Sequence, residues 1–91
     1  MAEEKVLTKH PEGKAGRNIR RKNYDLMKRA MLTTLRGKEL THTELFRQLN
    51  KDLKGTFDGN ISWYAETVKL DLEARRMIQR TTSKPQKYLL T

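Results

Sequence analysis

Cysteine is absent from the 91-residue chain, which excludes disulfides, thiol catalysis and cysteine-based zinc sites. Histidine occurs only at His10 and His42, with no carboxylate cluster beside either, so no metal site is expected. Uninterrupted aliphatic runs reach only two or three residues, too short for any segment to cross a bilayer. The opening MAEEKVLTKH lacks the basic-then-apolar order of a secretory signal. These absences point to an intracellular, cytoplasmic protein. There is also no nucleophile–base pair, and the two glycines of EGKAG lack the flanking strand and helix that a phosphate loop requires. A non-enzyme that carries no cofactor is expected.

Acidic residues are the minority charge. Twenty Lys and Arg against eleven Asp and Glu give a net charge of +9. In so short a chain this favours a polyanionic partner, most commonly nucleic acid. The length suits one domain with a modest core. Hydrophobic residues make up only 35%, yet they recur with helical period rather than at random.

Residues 1–21 read as a flexible basic arm. They contain His10-Pro11, two glycines and no helical stripe, so loose order or a path across the surface is expected, with Ile19 as an anchor. Arg17, Arg20, Arg21 and Lys22 cluster where the arm meets the domain, residues 22–91. The first helix spans about Lys22 to Leu35, burying Tyr24, Met27, Met31, Thr34 and Leu35, with Gly37 as its left-handed cap. Lys38-Glu39-Leu40 is a turn or a single strand bridge. Thr41 and Glu44 form a capping box before a helix that buries Leu45, Phe46, Leu49 and Leu53. Gly55 caps it, and Phe57 plugs the gap to the next helix.

That third helix opens after Asp58-Gly59-Asn60. Ile61, Ala65, Val68 and Leu72 share one side, with Tyr64 at its edge. Trp63, Thr67, Leu70 and Ala74 lie nearly opposite. The polar wedge is Ser62, Glu66, Lys69, Glu73 and Arg76, whose mixed signs at three- and four-residue spacing suit ion pairs on a solvated face. Residues 77–81 and 87–91 are β-prone and flank a turn-rich basic linker, so a hairpin is expected with Ile78, Tyr88 and Leu90 facing inward.

Helix, short strand, helix, helix and hairpin form an order that resembles the winged helix-turn-helix arrangement. The capped LTHTELFRQL, the helix opening at Asn60 and TVKLDLEARRMIQR running into a strand carry that likeness. The last segment is similar to the part of bacterial winged-helix repressors where recognition helix passes into wing. HPEGKAGRN and FDGNISWYAETVKLDLEAR also resemble stretches of a small, uncharacterised bacterial family. The resemblance implies an α+β winged-helix domain of three helices, a short strand and a C-terminal β-hairpin wing. One departure is local: such repressors commonly place Gly between recognition helix and wing, where this chain has Arg75-Arg76.

Two functions follow from different features. In the first, the domain binds duplex DNA without catalysis, in a regulatory role. Ser62, Lys69 and Glu66 would face base edges, with Arg75 or Arg76 on a phosphate. Arg80, Lys84 and Lys87 of the wing would hold flanking phosphates, and the arm (Arg17, Arg20, Arg21, Lys22) would add non-specific attraction. RNA is an alternative polyanion, requiring Tyr64, Tyr88 or Trp63 to be exposed for stacking. In the second, Trp63 and Leu70 form a protein interface, most simply of a homodimer, unless the wing or the arm covers them.

Overall fold

Each helix begins where a side-chain or backbone oxygen accepts one of its first free N–H groups. The computed structural model describes residues 4–91. Helix α1 (Arg21–Thr34) follows directly from a strand and has no side-chain cap. Helix α2 (His42–Leu53) starts on the capping box expected from sequence. The Glu44 N–H donates to Thr41 Oγ1 at 3.2 Å, and the Thr41 N–H donates to Glu44 Oε1 at 2.9 Å. Those bonds, the backbone one foremost, hold the Glu44 carboxyl below its ordinary range. Helix α3 (Ile61–Ala74) is capped by Asn60, whose side chain accepts the Trp63 N–H at 2.9 Å.

The three helices pack around one core. Met27 and Met31 from α1 and Leu35 just past its end, Leu45 and Leu49 from α2, and Ala65, Val68 and Leu72 from α3 are fully enclosed. Phe57 closes the gap between α2 and α3, edge-on to the Tyr64 ring at 5.1 Å. The three short strands β3 (Leu40–Thr41), β4 (Ile78–Arg80) and β5 (Lys87–Leu90) form an antiparallel sheet in the order β3-β5-β4. Ile78 pairs with Leu90 and Arg80 with Tyr88, while Leu40 lies opposite Tyr88 on the other edge. Ile78 and Tyr88 face inward as their alternation requires. The described residues therefore form a small α+β fold of three helices and two small antiparallel sheets.

The second sheet corrects the expectation of a loose arm. Strands β1 (Lys5–Leu7) and β2 (Asn18–Arg20) pair antiparallel, with Val6 opposite Ile19. Both side chains are buried in the same cluster as Tyr24 and Met27, so the segment is fastened by two anchors rather than by Ile19 alone. Polar contacts then close the hairpin. The Thr8 N–H donates to the Arg17 carbonyl and the Arg17 N–H to Thr8 Oγ1, both at 2.8 Å. A Cβ on Gly16 would lie 1.7 Å from the Thr8 carbonyl oxygen, so only glycine permits this approach.

The junction after α3 is also resolved by backbone geometry. Arg76 takes the left-handed conformation, φ +61°. Its N–H donates to the Glu73 carbonyl and the Met77 N–H to the Leu72 carbonyl, the paired bonds of a Schellman cap. Arginine performs the turn that glycine makes more easily.

Candidate functional site

Helix α3 lies between the β4–β5 hairpin on one flank and the loop of residues 8–17 on the other. Its middle is held by buried charge. Asp71 is 0% exposed, and a buried carboxylate must be fully paired to be tolerated. It accepts from the Lys9 N–H at 2.8 Å, from the Arg75 Nε–H at 2.9–3.0 Å and from the Tyr24 hydroxyl. One carboxylate thus ties the loop, α1 and α3 together. Burial, followed by the hydrogen bond and charge of Asp71, pushes the Tyr24 phenol up to about 12.

Lys69 lies inside, not on the polar wedge where helical angle alone places it. It is 3% exposed. Its Nζ donates to Tyr88 Oη at 3.1 Å and lies 3.3 Å from Glu66 Oε1, 4.5 Å from the centre of the Tyr88 ring. The hairpin strand β5 brings Tyr88 over this part of α3 and removes it from water. Lys69 is therefore not placed to read bases.

Two more of the expected cations are consumed internally. Arg75 is spent on Asp71, whose hydrogen bonds raise the guanidinium pKa. Arg80 donates through Nε and Nη2 to both Glu73 oxygens at 2.8 Å. Burial opposes that charge, but Glu73 outweighs it and raises the Arg80 pKa. In the hairpin region Arg21 pairs with Glu4 at 2.9 Å and Arg20 with Asp58 at 3.2 Å. The wedge does hold ion pairs, but the Glu73 partner is Arg80 rather than a neighbour on α3.

Other expected site residues are available. Arg17, Lys22, Arg76 and Lys84 are exposed and Lys87 half-buried, none with a carboxylate within ion-pair distance among the described residues. Ser62 is exposed in the first turn of α3 and accepts from Asn50 Nδ2 at 3.3 Å. Trp63 is 42% exposed, edge-on to Tyr64 at 4.9 Å. Leu70 is half-buried, and a pocket of about 310 Å³ separates the 8–17 loop from Trp63, Thr67 and Leu70. The loop partly covers the second apolar stripe and leaves Trp63 open.

A basic stripe on α2 was missed in the sequence. Arg47 and Lys51, with Lys54 just past the helix end, are exposed and recur at spacings of four and three, on one side of the helix. They lie one step round from Asn50, whose side chain reaches Ser62. The same spacing rule that found the leucines would have found them. On the other flank of α3, a groove of about 860 Å³ runs against the β4–β5 hairpin, floored by Lys69, Leu70, Ile78 and Tyr88.

Among the described residues, no group of three or more His, Cys, Asp or Glu could hold a metal ion, and no helix is long and apolar enough to cross a membrane. No curated protein and no solved structure matches the chain. Its likeness is to the family of unknown function DUF6958, matched over residues 5–88, almost the whole length, and the chain belongs to that family.

Proposed function

We propose that this is a winged helix-turn-helix domain that binds duplex DNA without catalysis, in a regulatory role. The support for the fold assignment is the order α1-β3-α2-α3-β4-β5 with β5 between β3 and β4, which puts the hairpin beside α3 as a wing. The single observation that carries the functional reading is the sorting of cations. Buried Lys69 and exposed Arg75 and Arg80 are each paired with a carboxylate of the chain itself. Arg47, Lys51 and Lys54 flank the start of α3, Lys84 and Lys87 lie on the wing, and Arg17 and Lys22 border the β1–β2 hairpin. These are phosphate-binding cations on a frame that also presents Ser62 and Trp63 from the first turn of α3. Base contacts then come from that turn alone, and most affinity comes from the backbone.

The test is fluorescence anisotropy with a labelled mixed-sequence duplex, comparing the native chain with two variants. Replacing Arg47, Lys51 and Lys54 together by Ala is expected to weaken binding at low salt and to reduce the log–log salt slope by about 0.9 per lost contact. Arg80→Ala is expected to leave the slope unchanged, because its charge is spent on Glu73. Unchanged affinity in the triple variant would overturn the reading.

The exposure of Trp63 supports a second reading, homodimerisation through the Trp63/Leu70 face. It places a bare aromatic where an interface anchor would lie. Sedimentation of native chain and Trp63→Ala distinguishes the two: a dimer lost on substitution supports the interface, and a monomer throughout excludes it.

A further inference from the structure

On the flank of α3 that faces the 8–17 loop, the exposed side chains do not balance in charge. The cleft there holds about 310 Å³, the small end of the range for ligand clefts. Its walls are open to solvent. Trp63 is 42% exposed, Thr67 and Leu70 are half-buried, and Lys9, Lys14 and Arg17 on the loop are exposed. Of the residues lining it only Glu66 is acidic, and that carboxylate pairs with Lys69 at 3.3 Å. Lys14 pairs with Glu12 at 3.0 Å, both groups being well exposed, so water screens them. Lys9 and Arg17 have no carboxylate within ion-pair distance among the described residues.

The loop that carries these cations is fastened at both ends. The Lys9 N–H donates to Asp71 Oδ1 at 2.8 Å. Thr8 and Arg17 exchange two bonds, also at 2.8 Å. The backbone beneath Lys9 and Arg17 is therefore set against α3 before any ligand arrives, which lowers the ordering cost of binding.

We propose that this cleft takes one unstacked base of a single-stranded nucleic acid, its ring against Trp63 and Leu70 and its flanking phosphates on Lys9 and Arg17. Cations alone would accept any polyanion, and an apolar wall alone any apolar group. An exposed indole beside unpaired cations suits a ligand that joins a flat ring to a phosphate. A duplex hides its ring faces in the stack and is too wide for a cleft of this size, so the base must be unpaired. Every base has a π-face, so no strong sequence preference is expected. The proposal rests on the nucleic-acid reading above and adds the form of nucleic acid that this one cleft accepts.

Trp63 is the only tryptophan in the chain, so its emission reports on the cleft directly. The test titrates the full chain with a short oligothymidylate, with an abasic strand of the same length and charge, and with a duplex. Oligothymidylate is expected to quench Trp63 saturably and to bind about tenfold more tightly than the abasic strand, the worth of stacking a base. Anisotropy of the labelled strands then reads two variants. Trp63→Ala is expected to remove the preference for oligothymidylate and leave abasic affinity unchanged, with Trp63→Phe restoring most of it. Arg17→Ala is expected to weaken both strands alike. Duplex binding with equal affinity for the two single strands overturns the cleft proposal and leaves the duplex reading standing. No binding of any strand at low salt overturns both. Trp63 emission that follows the concentration of the chain and ignores added strand marks a contact between copies, and it too overturns the proposal.

Discussion

Asp71 shows what one residue can fix in a small domain. Its carboxylate is fully enclosed, and its partners come from the β1–β2 loop, from α1 and from its own helix. Tyr24 donates to it, and with the phenol raised to about 12 the folded state keeps a proton that the unfolded chain releases near pH 10. Above pH 10 the unfolded state therefore binds fewer protons, so stability contributed by Tyr24 is present below that pH and lost between about 10 and 12. The difference in tyrosinate absorbance between native chain and Tyr24→Phe should show this late titration; a phenol titrating near pH 10 would contradict it. Arg76 supplies a second prediction at this scale. A non-glycine residue in the left-handed region is strained, so Arg76→Gly is expected to stabilise the fold by roughly 0.5–1 kcal/mol after allowing for the entropy of the glycine chain. Urea unfolding measures it, and a destabilised variant would show that the arginine side chain contributes more than its backbone costs.

The β1–β2 hairpin is the element on which the most rests and which the residues signal least. Gly16 allows the two arms of its loop to meet, since any Cβ there collides with the Thr8 carbonyl. Gly16→Ala is expected to cost at least about 2 kcal/mol and to speed amide exchange at Val6 and Ile19, while exchange in α2 changes only as global stability does. Unaltered protection at Val6 would contradict the close approach. Sequence alone does not reveal this hairpin because each strand has three residues and one buried side chain, too short for alternation to stand out, and a ten-residue loop separates them. By contrast, the α2 start was legible to the atom, because Thr41 and Glu44 are local partners. The same locality explains the α1 and α3 stripes and the inward set of Ile78 and Tyr88. What failed was non-local. Lys69 looked solvated on a helical wheel because its cover, Tyr88, comes from 19 residues further along, and Asp71 drew no notice between Leu70 and Leu72 because its partners lie on three different segments.

Across the whole molecule, charge is divided by use. The net charge of +9 is not an even coat: Lys69, Arg75 and Arg80 are paired with carboxylates around α3, whereas the α2 stripe, Lys84 and Lys87 of the β4–β5 hairpin, and Arg17 and Lys22 beside β2 are exposed or half-buried. The family match begins at residue 5, the first residue of β1, so the hairpin belongs to the unit that the family shares. On the proposed DNA-binding reading, the mixed charge of α3 limits base contacts to its first turn and assigns affinity to phosphates. That gives the central claim a direct measurement. Anisotropy of a labelled mixed-sequence duplex, followed through a salt series, is expected to show affinity falling linearly on a log–log plot with a slope of about −4 to −5, the signature of about five phosphate contacts. No binding at low salt from a chain this basic, or affinity that ignores salt, would contradict the DNA-binding account and leave the Trp63 face as the surface to pursue.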